Sequence, residues 1–510
     1  MTLLHNLVER QAKKRPEATA IVYGAKRLSY GELDAAANRL ARALIAAGCR
    51  KGDRVGFLYP KKPAAMVWML GILKAGAMHV PLDVASPAER LRRIVASCEP
   101  RFVLAAGPAA ELAAQIDCRI AWMEERDPQS LRAAFTLRDV ARMPAEAPKC
   151  ETTPDDPAHI LFTSGSTGIP KGVVITHANV TAFVEWGLKH FGLNETDRVS
   201  GHTPLHFDLS TYDIFGAYAA GAELHVVPLE TALLPHRLAE WIRASRLTQW
   251  FSVPSVLSYM AKVDAVREND FPELRRVMWC GEVLPTPVLI HWMKRVPHAR
   301  YTNLYGPTET TIASSYYDVP ACPQSPIEAI PIGAACDGEE LLVVNDEIHI
   351  GGVGLSPGYW RDPEKTAAAF VPHPSRPGER IYRTGDLGRV RPDGLVELIG
   401  RADTQIKSRG YRIELGEIEA ALASLAALRE SAVVAIPSQG FEQWQICCAY
   451  VSAGKITPAQ LRAELARLIP AYMMPARWQA YEALPRNPNG KVDRPALKAG
   501  FCASPVAIAA

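Results

Sequence analysis

One string narrows the possible folds more than any other: Leu161-Phe-Thr-Ser-Gly-Ser-Thr-Gly-Ile-Pro-Lys-Gly-Val173. An apolar run from His159 to Phe162 reads as a strand. It delivers the chain into a loop of hydroxyl side chains and glycines that closes on Pro170, Lys171 and Gly172. Small residues let a backbone approach an anion, and amides, hydroxyls and an ammonium can then surround phosphate oxygens. A plain polar loop is the alternative, but hydroxyls packed between an apolar strand and Pro-Lys-Gly argue against it. Counting from Gly165, a Walker loop needs Gly, Lys and Ser/Thr at 170 to 172, and this chain departs from that at 170 and 172. An unrelated P-loop NTPase is therefore excluded.

The surroundings of that loop alternate strand and helix patterns. Ala18 to Tyr23 reads as a strand. Ser29 and Glu32 form a capping box that opens a helix through Ala47, with Gly48 as its C-terminal stop. Val55 to Tyr59 reads as a second strand and Ala64 to Ala75 as a buried helix. Such alternation predicts an α/β core. The first sixteen residues carry Leu3, Leu4, Leu7 and Val8 at helical spacing beside Glu9, an amphipathic helix rather than a signal peptide. The longest apolar run, Ala64 to Leu73, is about half of what a membrane span needs. Pro144 to Pro157 reads as a surface connection. From Arg401 a different pattern begins: a basic stretch at 407–412, a helix from Leu415 to Leu428, strands at 431–435 and 445–451, and a helix from Pro458 to Leu468. Roughly 110 residues of this kind form a small α+β domain. The expected division is 1–402 and 403–510, with the boundary at Asp403.

Composition excludes several classes. The chain has 510 residues, 48% hydrophobic and 22% charged, with a net charge of +3. That is an ordinary globular profile with no general pull toward nucleic acid or anionic membrane. The ten cysteines contain no C-x-x-C pair, and only Cys447 and Cys448 are close together. Scattered thiols predict a reducing, cytoplasmic setting without a structural metal site.

Together with the loop at 161–173, further strings resemble the ordered motifs of the adenylate-forming superfamily. These are Lys74 to Asp83 (KAGAMHVPLD), Asn303 to Thr311 (NLYGPTETT), Gly351 to Trp360, Tyr382 to Leu387 (YRTGDL), Gly400 to Glu419, and Asn487 to Lys491 (NPNGK). The resemblance covers about residues 5 to 500. It implies a large N-terminal domain of mixed sheets and helices, a small mobile C-terminal α+β domain, and ATP with Mg²⁺ as reactants. By that resemblance Thr163, Ser164, Gly165, Ser166, Thr167 and Lys171 hold the β- and γ-phosphates. Gly281, Asn303 and Tyr305 belong to the nucleotide site, and Tyr305 stacks on the adenine. Thr308 bonds the α-phosphate, and Glu309 coordinates Mg²⁺, a hard ion that prefers oxygen ligands. Asp386 accepts both ribose hydroxyls and Arg401 lies beside them. Lys491 bridges the substrate carboxylate and the α-phosphate, and Asp403 matches the hinge.

His206-Phe207-Asp208-Leu209-Ser210 bears on the substrate. In amino-acid-activating members the matching aspartate pairs with the α-ammonium, and a buried carboxylate with no such partner would be costly. A helix N-cap is the alternative role for Asp208. The resemblance places Asp208, Leu209, Tyr212, Phe251, Met278, Cys280, Leu304, Ile312, Ala313 and Lys491 around the substrate. Between its two charged ends this lining is uncharged and mostly apolar, so a charged side chain would find no partner. The set resembles the pockets of free-standing prolyl-adenylating ligases, which makes L-proline the expected substrate; alanine, valine and aminobutyrate remain open. The sequence ends shortly after Asn487 to Lys491, so a separate carrier protein's phosphopantetheine is the expected acceptor, with coenzyme A less favoured. A monomer is expected. An acyl- or aryl-CoA synthetase, or a catalytically dead nucleotide binder, remain as rivals. Residues 341–350 (LLVVNDEIHI) read as a hairpin with a shortened turn.

Overall fold

A computed structural model describes residues 2–126, 131–165, 170–438, 443–487 and 491–503. The chain divides into two compact units. The first comprises Met1–Val84, Val95–Phe162 and Gly172–Ala402; the second comprises Ala85–Ile94, Thr163–Lys171 and Asp403–Ala510.

The first unit holds two large sheets. One has nine strands and runs Ala334–Ala335, Ser315–Asp318, Arg300–Tyr305, Arg276–Cys280, Gln249–Ser252, Arg198–Gly201, Glu223–Val226, Thr19–Tyr23, Lys26–Ser29. Its interior pairs are parallel and its outer pairs antiparallel. The other has seven strands, among them Met78–Leu82, Arg54–Leu58 and Phe102–Ala105 in parallel. A smaller antiparallel sheet joins Glu339–Val344, Glu347–Gly352 and Arg380–Val390, flanked by Phe370–Pro372 and Val396–Arg401.

Parallel strands buried on both faces read as continuous apolar runs, and Met78–Leu82 is buried at every position. The apolar helix Pro63–Lys74 is buried nearly throughout. Gly71 lets it meet the helix Tyr30–Ala46 backbone to side chain, since a Cβ there would lie 2.9 Å from that of Leu40. The capping box forms as read: Glu32 N donates to Ser29 Oγ, and Ser29 N donates to Glu32 Oε2. The N-terminal amphipathic helix is Leu4–Lys14. The shortened turn is a two-residue loop, Asn345 (φ 51°) and Asp346 (φ 62°), the left-handed pair of a type I′ hairpin.

In the second unit the hairpin Gln405–Ser408/Tyr411–Glu414 precedes a three-stranded sheet of Leu428–Pro437, Trp444–Ser452 and Arg477–Ala480. Side-chain alternation gives this sheet two cores. Val433, Ala435, Cys448 and Tyr450 face one, while Ala432, Val434, Cys447 and Ala449 face the other. Cys447 and Cys448 thus point to opposite faces, and burial pushes the Cys447 thiol up to about 12. Elements of this unit differ from the reading above, among them the helix Pro458–Leu465, which ends three residues before Leu468. The helix Leu415–Ala423 stops five residues early, because Leu428 starts a strand. A third helix, Arg494–Ala503, follows Lys491. Among the described residues no helix is long and apolar enough to cross a membrane, and no cluster of His, Cys, Asp or Glu could hold a metal ion. The architecture is α/β, with a large N-terminal domain of mixed sheets and helices and a small C-terminal α+β domain.

Candidate active site

The site of the first unit is built where strands end. Arg380–Val390 and Val396–Arg401 pair so that Asp386 stands opposite Arg401. The Arg401 guanidinium donates to Asp386 Oδ1 at 2.6 Å, and the Tyr305 hydroxyl donates to Oδ2 at 2.7 Å. Asp386 is 2% exposed, so its two acceptor oxygens are oriented by a cation on one side and a phenol on the other. Burial and the neighbouring carboxylate push the Tyr305 hydroxyl well up, so it remains a donor. The main chain of Asp386 is fixed too, donating from its N–H to Thr384 Oγ1 at 3.0 Å. Asn303 is buried, and its amide donates to the Pro331 carbonyl at 2.8 Å. Gly281 has φ 99°, a backbone that favours glycine, and no atom nearer than 3.8 Å would meet a Cβ there.

After Tyr305 the chain reverses in a tight turn. A Cβ on Gly306 would lie 2.6 Å from the Ala313 Cα, so only glycine lets the two limbs close. Thr308–Thr310 form one 3-10 turn. Glu309 is fully buried and accepts from the Tyr359 hydroxyl at 2.8 Å. A buried carboxylate with one oxygen oriented by a phenol is a hard-oxygen donor that fits Mg²⁺. Thr311 (φ 60°) and Ile312 (φ 69°) follow in the left-handed region. Both are β-branched, and such a backbone costs on the order of 1–3 kcal/mol per residue. The surroundings must hold it.

The substrate positions converge on one buried cluster. Phe251 pairs in register with Met278, and Cys280 with Leu304. Leu209, Tyr212, Phe251, Met278, Cys280, Leu304, Ile312 and Ala313 all belong to the first unit's main core cluster. Their strand neighbours Trp250, Val277, Trp279 and Tyr301 face a separate cluster. A one-residue shift along any of these strands would therefore exchange the whole lining. Tyr212 packs edge-on against Phe183, Phe191 and Phe251, with ring centroids 5.4, 5.8 and 6.1 Å away. Gly187 makes room for it, since a Cβ there would lie 2.6 Å from the ring. The Tyr212 hydroxyl is buried and has no hydrogen-bond partner among the described residues.

Asp208 occupies the N-cap position of the helix Leu209–Ala220, yet its side chain makes no capping hydrogen bond. The segment leading to it is held by Lys61, unremarked in the sequence reading, whose ammonium donates to the Gly201 and Thr203 carbonyls. Burial pushes that ammonium down to about 7, while the Asp213 charge opposes the shift.

The remaining residues belong to the second unit. Thr163 ends its strand with a buried hydroxyl that has no partner among the described residues. Ser164 Oγ donates to the Arg412 carbonyl, and Gly165 N donates to Glu417 Oε2 at 3.3 Å. Glu417 also pairs with Arg90, a buried ion pair between distant segments that sequence reading missed. Lys171 opens the strand after the loop. Ser166 and Thr167 lie outside the described residues. Asp403 accepts from Gln405 N at 3.0 Å. Lys491 is exposed, and its N–H donates to Asn487 Oδ1 at 3.0 Å.

The AMP-binding enzyme family matches residues 8–360, and the AMP-binding enzyme C-terminal domain matches residues 417–491. The chain belongs to the AMP-binding enzyme family. The adenylate-forming superfamily expected from the motifs is thereby shown. Tyrocidine synthase 1 of Brevibacillus parabrevis is 34% identical over 511 residues, covering 97% of this chain and 44% of that protein. Surfactin synthase subunit 2 of Bacillus subtilis (strain 168) is also 34% identical, with 97% and 14% covered. The chain thus spans less than half the length of either relative. Among solved structures, the Vibrio cholerae adenylation domain AlmE in complex with glycyl-adenosine-5'-phosphate matches with a TM-score of 0.85 at 26% identity, over 98% of both chains. The artificially fused adenylation–PCP di-domain NpsA-ThdA from Klebsiella oxytoca matches with a TM-score of 0.80 at 23% identity, over 94% of both chains, a likeness of fold.

Proposed function

We propose that this chain activates a small uncharged amino acid, L-proline first among candidates, as its aminoacyl adenylate and passes it to the phosphopantetheine thiol of a separate carrier protein. The observation that carries this reading is Asp208. It stands at a helix N-terminus without capping the helix, beside a lining whose other first-unit members carry no charge. A carboxylate so placed suits an α-ammonium. The relatives support the class, since one full-length fold match is an adenylation domain solved with glycyl-adenosine-5'-phosphate.

In the first half-reaction the substrate carboxylate attacks the α-phosphorus and pyrophosphate leaves. In the second, a thiolate attacks the acyl carbon and AMP leaves. Asp386, oriented by Tyr305 and Arg401, receives the ribose hydroxyls. Tyr305 and Gly281 border the adenine, Thr308 donates to the α-phosphate, and Glu309 would hold Mg²⁺, which offsets charge on the phosphates. Thr163, Ser164, Gly165, Ser166, Thr167 and Lys171 take the leaving phosphates. Lys491 supplies the cation between carboxylate and α-phosphate, where charge concentrates in the transition state.

Tyr212, Phe251 and Met278 are bulky, which favours proline or a small aliphatic side chain. A second reading, a small hydroxyl-bearing amino acid such as serine, is favoured by the unpartnered Tyr212 hydroxyl alone. The test is ATP–pyrophosphate exchange across the twenty amino acids plus aryl and fatty acids. Exchange led by proline supports the full reading; another amino acid keeps Asp208's role and discards the pocket assignment. Exchange only with an aryl or fatty acid overturns amino-acid activation, and no exchange with any acid favours a dead nucleotide binder.

A further inference from the structure

A strap holds the strained turn at 308–313 from outside, in addition to the Tyr359 hydroxyl on Glu309 and the Cys280 thiol on the Ile312 carbonyl. Residues Val353–Ser356 run beside it and bond to it twice: Ser356 N donates to the Glu309 carbonyl at 2.9 Å, and Thr311 Oγ1 donates to the Gly354 carbonyl at 2.7 Å. The strap is itself anchored at three points. The Asn179 amide donates to the Val353 and Leu355 carbonyls at 2.8 and 3.3 Å. Ser356 Oγ donates to the Val174 carbonyl at 2.6 Å. The third anchor is a side chain that no motif contains: Gly354 N donates to Glu339 Oε1 at 2.7 Å.

The fit around that anchor is close. A Cβ on Gly354 would lie 2.6 Å from Glu339 Oε1 and 2.7 Å from the Thr310 carbonyl oxygen. Glycine at 354 therefore lets the carboxyl, the strap and the turn meet at one point. The second carboxyl oxygen, Oε2, is buried with no partner among the described residues. A buried carboxyl with one oxygen used and one unused is most stable as the neutral acid, and burial pushes this one up to about 8.

We infer that Glu339 is a positioning residue for the amino-acid site, acting through Gly354 and Thr311 to hold the left-handed Thr311–Ile312 pair that sets Ile312 and Ala313 in the pocket wall. The inference rests on the proposed reading of that wall as the substrate's. Two β-branched residues in the left-handed region relax if their clamp is lost. The Gly354 amide, left buried without an acceptor, adds its own cost. The same carboxyl serves equally well as an amide, because only a neutral acceptor at Oε1 is used.

The test compares Glu339→Gln, Glu339→Ala and Thr311→Val with the unaltered chain. Losing one buried acceptor should raise the amino-acid KM about tenfold in Glu339→Ala, while Glu339→Gln stays within about twofold. Thr311→Val keeps the β-branch and deletes only the hydroxyl, so it should move KM in the same direction as Glu339→Ala. Amide hydrogen exchange over 306–314 is measured on the same proteins, with thermal melting to check folding. Faster exchange there in Glu339→Ala and Thr311→Val, but not in Glu339→Gln, supports the inference. Unchanged exchange in that turn overturns it, as does a Glu339→Gln variant as impaired as Glu339→Ala. If the unaltered chain activates no amino acid, the functional reading fails, while the exchange measurement still decides the role of Glu339.

Discussion

At the scale of single residues, Asp386 shows how a buried carboxylate is held in a fixed orientation. Arg401 donates to one of its oxygens and Tyr305 to the other. In Asp386→Asn an NH₂ must face either the guanidinium or the phenol, and the Arg401 charge loses its partner. The ATP KM in pyrophosphate exchange should rise at least about tenfold; an unchanged value would remove Asp386 from the ribose site. His79 supplies a contrasting case. Both its ring nitrogens are buried without a partner among the described residues, and its ring stacks on His159 at 5.0 Å. Burial, helped by the neighbouring His159 and His177, drives the His79 ring well below its ordinary 6.5. Burial likewise holds His159 at about 3 and His177 at about 4. These rings are neutral when folded and protonate near 6.5 once unfolded. As pH falls below about 6.5 the unfolded chain binds more protons, so stability drops from there down to the folded values. The melting temperature should fall between pH 6.5 and 4.5. His79→Phe should flatten that fall and raise stability at pH 7 by about 1–3 kcal/mol, since it deletes two unsatisfied atoms. An equally steep fall in the variant would show that His79 does not contribute.

At the scale of elements, what was legible depended on range. Capping boxes and apolar runs are set by residues within a few positions of one another, and Ser29–Glu32 could be read directly; at 341–350 the sequence showed a shortened turn, and the structure places it at Asn345–Asp346. The nucleotide-site candidates were legible because they sit in ordered strings. Helix ends failed where side-chain spacing misled: Leu415, Ile418, Leu422, Leu425 and Leu428 keep helical spacing, yet Leu428 belongs to a strand. The helix Arg494–Ala503 buries only Leu497 and Phe501, too few apolar positions to mark a period. The Tyr359–Glu309 bond joins residues fifty positions apart, and the Glu339–Gly354 bond closes only because a hairpin lies between them. No local pattern encodes either. The hairpin carries its own prediction. Asp346 has φ 62°, so Asp346→Val should destabilise by about 1–2 kcal/mol while Asp346→Gly should be neutral or better. Equal melting temperatures for the two variants would argue that the turn conformation is not what Asp346 supplies.

At the scale of the whole chain, the residues assigned to one reaction are divided. Asp208, Glu309 and Asp386 belong to the first unit, whereas Lys491 and the loop from Thr163 to Lys171 belong to the second. Binding and chemistry should therefore separate on mutation. Lys491→Ala should keep ATP binding and lose on the order of a hundred- to a thousand-fold in adenylate formation, and undiminished exchange would refute its role. The two half-reactions need different groups at the same acyl carbon, first a phosphate and then a thiol, and a single rigid arrangement of catalytic groups serves both poorly. The superfamily resemblance assigns the change between them to Asp403, the first residue of the second unit's long segment. Proline there fixes φ near −65° and deletes an N–H. If rotation about Asp403 follows the chemical step, Asp403→Pro should slow thioester formation several-fold more than pyrophosphate exchange, because only the later step requires a second backbone conformation. Stopped assays on each half-reaction measure this directly, and equal loss in both would place the change of arrangement elsewhere in the chain.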